Sequence, residues 1–235
     1  LVCGISGFAW LNAKSKVDFY HSIPVRREVL FAVDFVNGIL IMAVPYVISM
    51  IAAACIAVGY GVDGTKLWPV VFAACGLHLT YFILMYTMVV VAVMLTGNMV
   101  VAFLGCVVFS SAVPLAVSLI QGYFMVFFRT GMWEGWQNFM ETGIRFSPVC
   151  EYISSYDAYI NGESMASYVT IALAASVLFT VVGCFLYKKR PSEAAGKAMA
   201  FPVTMPVIRI ILVLLSAFGL GVFFWGLRLD LSAAL

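Results

Sequence analysis

Unbroken apolar runs, rather than stripes or alternations, dominate this chain. They cover Val29–Gly61, Leu67–Gly97, Met99–Phe128, Met165–Tyr187 and Val207–Leu227. Sparsely charged runs of about 20 residues or more predict helices that cross a hydrocarbon core of ~30 Å. The first three exceed that length, so they tilt, kink or project beyond the bilayer. Pro45 and Pro114 are candidate kink sites, because each removes an N–H and crowds the preceding turn. Asp63-Gly64 and Gly97-Asn98 are turn signals between spans. A further apolar stretch, Leu1–Leu11, reaches only ~17 Å as a helix. It reads as the tail of a spanning helix whose first half is missing. The other end stops as abruptly, at Leu231-Ser232-Ala233-Ala234-Leu235, so the expectation is a fragment of a longer protein.

Between the third and fourth runs, Arg129–Ser164 has a different rhythm. Met132, Trp133, Trp136, Phe139 and Met140 recur at helical spacing among Glu134, Gln137, Asn138 and Glu141. Ser147-Pro148, a good N-cap and first-turn pair, then opens a stripe of Val149, Tyr152, Ile153, Tyr156, Tyr159 and Ile160. Two short amphipathic helices rich in Trp and Tyr suit a membrane–water interface. Trp133, Trp136, Tyr152 and Tyr156 are candidates for an outer mouth; ordinary interfacial packing stays open beside that reading. The predicted fold class is an all-α polytopic membrane protein: a helical bundle of five full spans, a partial N-terminal one and two short outer helices.

Composition agrees. Of 235 residues, 64% are hydrophobic and only 10% charged, with mean hydropathy +1.06. Soluble domains sit near 45–50% apolar and ~25% charged. An ordinary globule, a disordered segment and a disulfide-stapled secreted scaffold are therefore excluded. The net charge of +2 matters less than its distribution. If the segment Asn12–Glu28 is cytoplasmic, strict alternation makes Lys188–Pro206 cytoplasmic too. That side then carries nine Lys/Arg, among them Lys14, Lys16, Arg26, Arg27, Lys188, Lys189, Arg190, Lys197 and Arg209, against four on the other. This agrees with the positive-inside rule. The outward loop Arg129–Ser164 has a net charge of −3.

Candidate chemistry is sparse. No basic face suits nucleic acid. The six cysteines lack zinc or redox spacing, so no disulfide and no metal is expected. Gly59-Tyr60-Gly61-Val62-Asp63-Gly64 matches GxGxxG, but it ends a membrane helix with no strand before it, so it is no dinucleotide site. No nucleophile–base pair assembles, and no catalytic residue is expected. Polar groups inside spans are costly and thus functional candidates by default. Asp34 and Asn37, three apart on one face, pair structurally (Asp34 with Arg27 or water) or serve gating. His78 either hydrogen-bonds a neighbouring helix or has an intramembrane role. Arg209 snorkels to the surface.

The most informative stretch is Trp10–Phe31. Val17, Tyr20 and His21 make one face of a short helix, and Ser22 and Pro24 look like the cap and first turn of the next. A membrane-surface elbow on lipid phosphates and a docking element are both open from the residues alone.

Tyr20-His21-Ser22-Ile23-Pro24-Val25-Arg26-Arg27-Glu28-Val29-Leu30-Phe31 resembles the YHSLPv-R-e-lf stretch of bacterial permeases of the type-2 ABC (ATP-binding cassette) family, nearest to the Ytr-like group of Gram-positive bacteria. About 170 residues later, Arg190-Pro191-Ser192-Glu193-Ala194-Ala195-Gly196-Lys197-Ala198-Met199-Ala200-Phe201 resembles that group's R-sE-AGkalaF segment. The resemblance implies a permease domain over residues 1–187, lacking its N-terminal part, a cytoplasmic basic loop at 188–206, and an additional helix at 207–235 leading to a missing C-terminal region. It implies an ATPase-coupling role for Val17, Tyr20, His21, Ser22, Pro24, Arg26 and Arg27, with Lys14 and Lys16 adding docking charge. The expected function is transport, as an exporter, driven by ABC ATPase subunits that hold ATP and Mg. This chain would bind no cofactor itself and would pair with a second permease subunit in the bacterial plasma membrane. With a first helix missing upstream and Leu1–Leu11 as the end of the second, Val207–Leu227 would be a seventh span, which departs from the basic six-helix pattern. A non-transporting sensor or structural subunit, answering an extracellular ligand such as a peptide, is the alternative.

Overall fold

The apolar runs are helices. The structure, a computed structural model, describes residues 2–127 and 136–233, and their side chains except at 21, 125–127, 136, 137, 144 and 226–233. Among the described residues there are nine α-helices: α1 (Val2–Gly7), α2 (Lys14–Ser22), α3 (Arg27–Gly59), α4 (Gly64–Leu95), α5 (Met99–Phe127), α6 (Trp136–Arg145), α7 (Pro148–Ile160), α8 (Ala166–Lys189) and α9 (Thr204–Ala233). There is no strand among them, only an isolated antiparallel bridge between Thr96 and Met199. α3, α4, α5, α8 and α9 are long and apolar enough to cross a membrane, and the chain is a multi-pass membrane protein.

Local chemistry explains several boundaries. Asp63 caps α4 by accepting from the Thr65 amide at 3.0 Å and the Thr65 hydroxyl at 2.7 Å. Those bonds hold its carboxyl below the usual carboxylate range. Pro45, Pro69 and Pro114 lie within helices that continue through them. Hydroxyls inside the spans close onto their own helices: Thr80 donates to Gly76, Ser118 to Pro114 and Ser176 to Ala172, at 2.7–2.9 Å. Such back-bonding satisfies a donor where no water reaches.

Three expectations are corrected here. Leu1–Leu11 does not continue as one helix, because α1 stops at Gly7 and a 3₁₀ turn follows at Ala9–Asn12. Ser22 does not cap α3; it is the last residue of α2, and its hydroxyl donates to Phe19 O at 2.7 Å. Proline disfavours helix in the residue before it, and Ile23 is extended (φ −69°, ψ 133°), so Pro24 ends α2 rather than opening α3. Ser147 precedes α7 as expected, with Pro148 at its first turn, but its hydroxyl makes no cap bond. It donates instead to Ser110 O at 2.6 Å, tying α7 to α5.

The chain divides into two compact units, Leu1–Cys106 with Gly162–Phe201, and Val107–Asn161 with Pro202–Leu235. In the first, α4 is central, packed by α1, α3 and α8. Its run from Tyr86 to Met94 is buried on every side, whereas α3 exposes most of its surface and buries only Phe31, Gly38 and Ala54. A helix apolar all round suits a bundle centre or lipid equally. Close approach of α3 to α4 depends on Gly38, where a Cβ would land on the Tyr86 ring and hydroxyl. That hydroxyl donates to Phe35 O at 3.1 Å.

In the second unit, α6 meets α5 where a Cβ on Gly143 would overlap Val117. Tyr123 of α5 and Phe218 of α9 meet edge to face, with centroids 5.3 Å apart. α7 reverses a simple amphipathic expectation. It buries Pro148, Glu151, Ser155 and Ala158, and it exposes Val149, Ile153, Tyr156 and Ile160.

Candidate functional site

Three segments distant in sequence meet at one end of the first unit: the hairpin around α2, the turn after α4 and the loop after α8. The end of α4 shows why. The last four carbonyls of any helix lack intrahelical partners and need others. In α4 these belong to Ala92, Val93, Met94 and Leu95. The Thr96 hydroxyl donates to Ala92 O at 3.0 Å. Arg190 Nη1 donates to Val93 O at 2.7 Å and Met94 O at 3.3 Å. The Ala200 amide donates to Leu95 O at 2.8 Å, and just beyond the helix the Gly196 amide donates to Gly97 O at 2.8 Å. Every terminal carbonyl is satisfied, mostly by the loop after α8.

Arg190 therefore differs from the solvated loop cation that its place in a basic stretch suggests. It is 5% exposed, and its Nη2 donates to Leu11 O at 3.2 Å, just before α2. Burial pulls its guanidinium down to about 10, still charged at neutral pH. Its cation sits at the negative end of the α4 dipole, which favours it there. No side chain named as a candidate from sequence makes these bonds. The missed signal was the position of Arg190 one residue past α8 and before Pro191, where a long fork reaches back over neighbouring helix ends.

α2 rests on this platform through the two apolar residues expected. Val17 is buried, and Tyr20 stacks on Trp10 with centroids 4.4 Å apart. Trp10 in turn meets Tyr187 edge to face at 6.4 Å, and Phe31 packs on Phe8 and on Tyr187 at 5.6 Å each. His21 lies in the last turn of α2, its side chain outside the described residues. Ser22, Pro24, Arg26 and Arg27 line the connection to α3. Lys14, Lys16 and Arg26 are exposed, as is Phe19 at 65%. Arg27 Nη1 donates to Lys188 O at 3.4 Å, and Lys188 pairs with Glu28. An exposed pair of this kind contributes little and marks proximity more than strength.

The intramembrane candidates separate. Asp34 is half-buried and accepts from Trp10 Nε1 at 2.9 Å, while Arg27 reaches Lys188 instead. Asn37 is exposed. Three residues leave roughly 60° between side chains around a helix, enough to put one at a packed edge and the other outside it. His78 Nδ1 lies 2.7 Å from Ala74 O of its own helix, and its ring meets Tyr46 of α3 edge to face at 5.9 Å. Trp10→Phe removes the donor to Asp34 and is expected to lower stability by ~1–3 kcal/mol. Asp34→Asn, which keeps an oxygen acceptor, should cost less than half of that. Reversible unfolding of both variants in mixed micelles checks the order.

Among the outer-mouth candidates, Trp133 lies outside the described residues, as does the side chain of Trp136 at the start of α6. Tyr152 and Tyr156 are neighbours with centroids 6.5 Å apart. Glu151, absent from the candidates read from the sequence, is 5% exposed, and its Oε2 has no hydrogen-bond partner among the described residues. Burial raises its carboxyl above the ordinary 4.5, and Arg145 opposes the shift. A raised folded-state value means that its contribution is full below the unfolded value and is lost as pH rises through the folded one. The α6–α7 region is expected to loosen as pH rises from about 4.5, and Glu151→Gln to flatten that dependence. Proteolysis of the α6–α7 region at stepped pH measures it.

No metal-holding group of three or more His, Cys, Asp or Glu is found among the described residues. The chain matches no family model, no curated protein and no solved structure.

Proposed function

We propose that this chain is the membrane-spanning permease subunit of an ATP-binding-cassette transporter. One observation carries the reading. The two segments that resemble type-2 permease motifs, about 170 residues apart, lie at the same end of the helices: Arg27 and Glu28 of the first reach Lys188, two residues before the second, and α2 packs on Ser192–Ala194 of the second. A docking element for a separate ATPase needs such a mount: a short helix held on its apolar side and presenting cations and an aromatic outward. α2 has this form, with Val17 and Tyr20 inward and Lys14, Lys16 and Phe19 outward.

On this reading, ATP closes the ATPase dimer, residues 17–27 move with it, and the helices shift between two arrangements. The direction is export, the membrane is the bacterial plasma membrane, and a second permease subunit completes the pathway. ATP and Mg belong to the ATPase.

Co-purification of the full-length protein in mild detergent tests the proposal. A stoichiometric P-loop ATPase, lost when residues 21–24 are replaced by Gly/Ser, supports it. A clean preparation without ATPase, under conditions that keep known transporters assembled, overturns it in favour of the sensor reading.

A further inference from the structure

We infer that Arg190 is a positioning residue that makes α2, the end of α4 and the end of α8 move as one body. Its guanidinium joins all three segments. It follows α8 directly in the chain, donates to Val93 O and Met94 O of α4, and donates to Leu11 O at the entry to α2. The separations are 97, 96 and 179 residues, so no local structure substitutes for these bonds.

The connection is stiff for two reasons. A guanidinium is a planar fork, so several simultaneous bonds fix its orientation as well as its position. It is also buried, and losing any bond leaves a charge and a carbonyl without water. The backbone bonds from Gly196 and Ala200 to Gly97 and Leu95 hold the loop to α4, but they do not reach α2. The Nη2–Leu11 bond and the seating of Val17 and Trp10 carry displacement from the α2 segment into the bundle. Arg190 thus sets where the docking helix sits relative to α4, the buried centre of its unit. Its importance for coupling, though not for position, rests on the permease reading above.

The test is amide hydrogen exchange on the full-length protein with its co-purifying partners in lipid nanodiscs. It compares the wild type with Arg190→Gln, Arg190→Lys and, as a control on an exposed cation, Arg209→Gln. Arg190→Gln is expected to speed exchange over Leu11–Ser22 at least tenfold and to leave the middle of α3 within twofold. Arg190→Lys keeps the charge but not the fork, and is expected to fall between. Arg209→Gln should match the wild type. Unchanged exchange over Leu11–Ser22 in both Arg190 variants overturns the inference. So does a rise spread equally over α3, α4 and α8, which marks a residue that only stabilises the fold. If an ATPase is present, Arg190→Gln should lower its membrane-coupled turnover with KM for ATP unchanged. Exchange that rises as expected in a preparation lacking any ATPase upholds the positioning role and overturns the permease reading instead.

Discussion

Gly97→Ala is expected to destabilise the first unit by about 3–5 kcal/mol, among the largest effects of any single substitution here. Space is the reason, not backbone conformation. A Cβ at Gly97 would lie on the carbonyl oxygen of Ala194 and against that of Lys197. Both are backbone atoms of the loop after α8, so no side-chain rotation relieves the overlap. The loop must back away, and the Gly196–Gly97 and Ala200–Leu95 hydrogen bonds go with it. Arg190 then loses the geometry that holds Val93 O and Met94 O, and the end of α4 is left with orphan carbonyls. The visible consequence is tryptic cleavage after Lys197, slow in the wild type and fast in the variant. Equal cleavage rates, with equal unfolding midpoints, would show that the loop has slack.

Gly38→Ala is expected to cost ~1–3 kcal/mol through overpacking. The clash is with the Tyr86 ring and hydroxyl, so the cost is shared with a residue on another helix. Tyr86→Phe alone gives up the bond to Phe35 O and should cost ~1 kcal/mol. The double variant removes the hydroxyl that the new methyl strikes. It should be less destabilised than the two singles together, with a coupling of ~0.5–3 kcal/mol, in a double-mutant cycle read by reversible unfolding. Strict additivity would mean that α3 and α4 adjust their separation freely.

Much of the architecture was legible, and what was not shares a cause. Length and hydropathy were enough for five spans, because a bilayer demands about 20 apolar residues whatever surrounds them. The seating of Val17 and Tyr20 followed from helical periodicity in a polar segment, where period does report burial. Inside the spans it does not. Lipid tails are as apolar as a packed interior, so a lipid-facing valine and a core valine look alike. The valines of α3 are largely exposed and those at 89–93 of α4 are buried, yet the sequence treats them the same. α7 shows the converse: its apolar stripe is its exposed side, and Glu151 and Ser155 are the packed ones. Arg190 was hidden by its neighbours Lys188 and Lys189, which share its charge and not its burial. The Ser22-Pro24 boundary was misplaced because a Ser-x-Pro signal both closes one helix and fits the opening of another.

The central burial of α4 has a consequence for biogenesis. α4 is complete at Leu95, but the helix that covers it, α8, ends at Lys189. Chain elongation at ~5–20 residues per second separates the two by roughly 5–20 s. During that interval the valine-rich flank of α4 faces lipid, and its terminal carbonyls wait for Arg190 and Ala200. All of α5, α6 and α7, from the other unit or bridging to it, emerge first. The first unit is thus assembled late and around a detour in the chain. A ribosome stalled before residue 190 would leave a membrane-inserted intermediate whose central helix lacks its permanent neighbour.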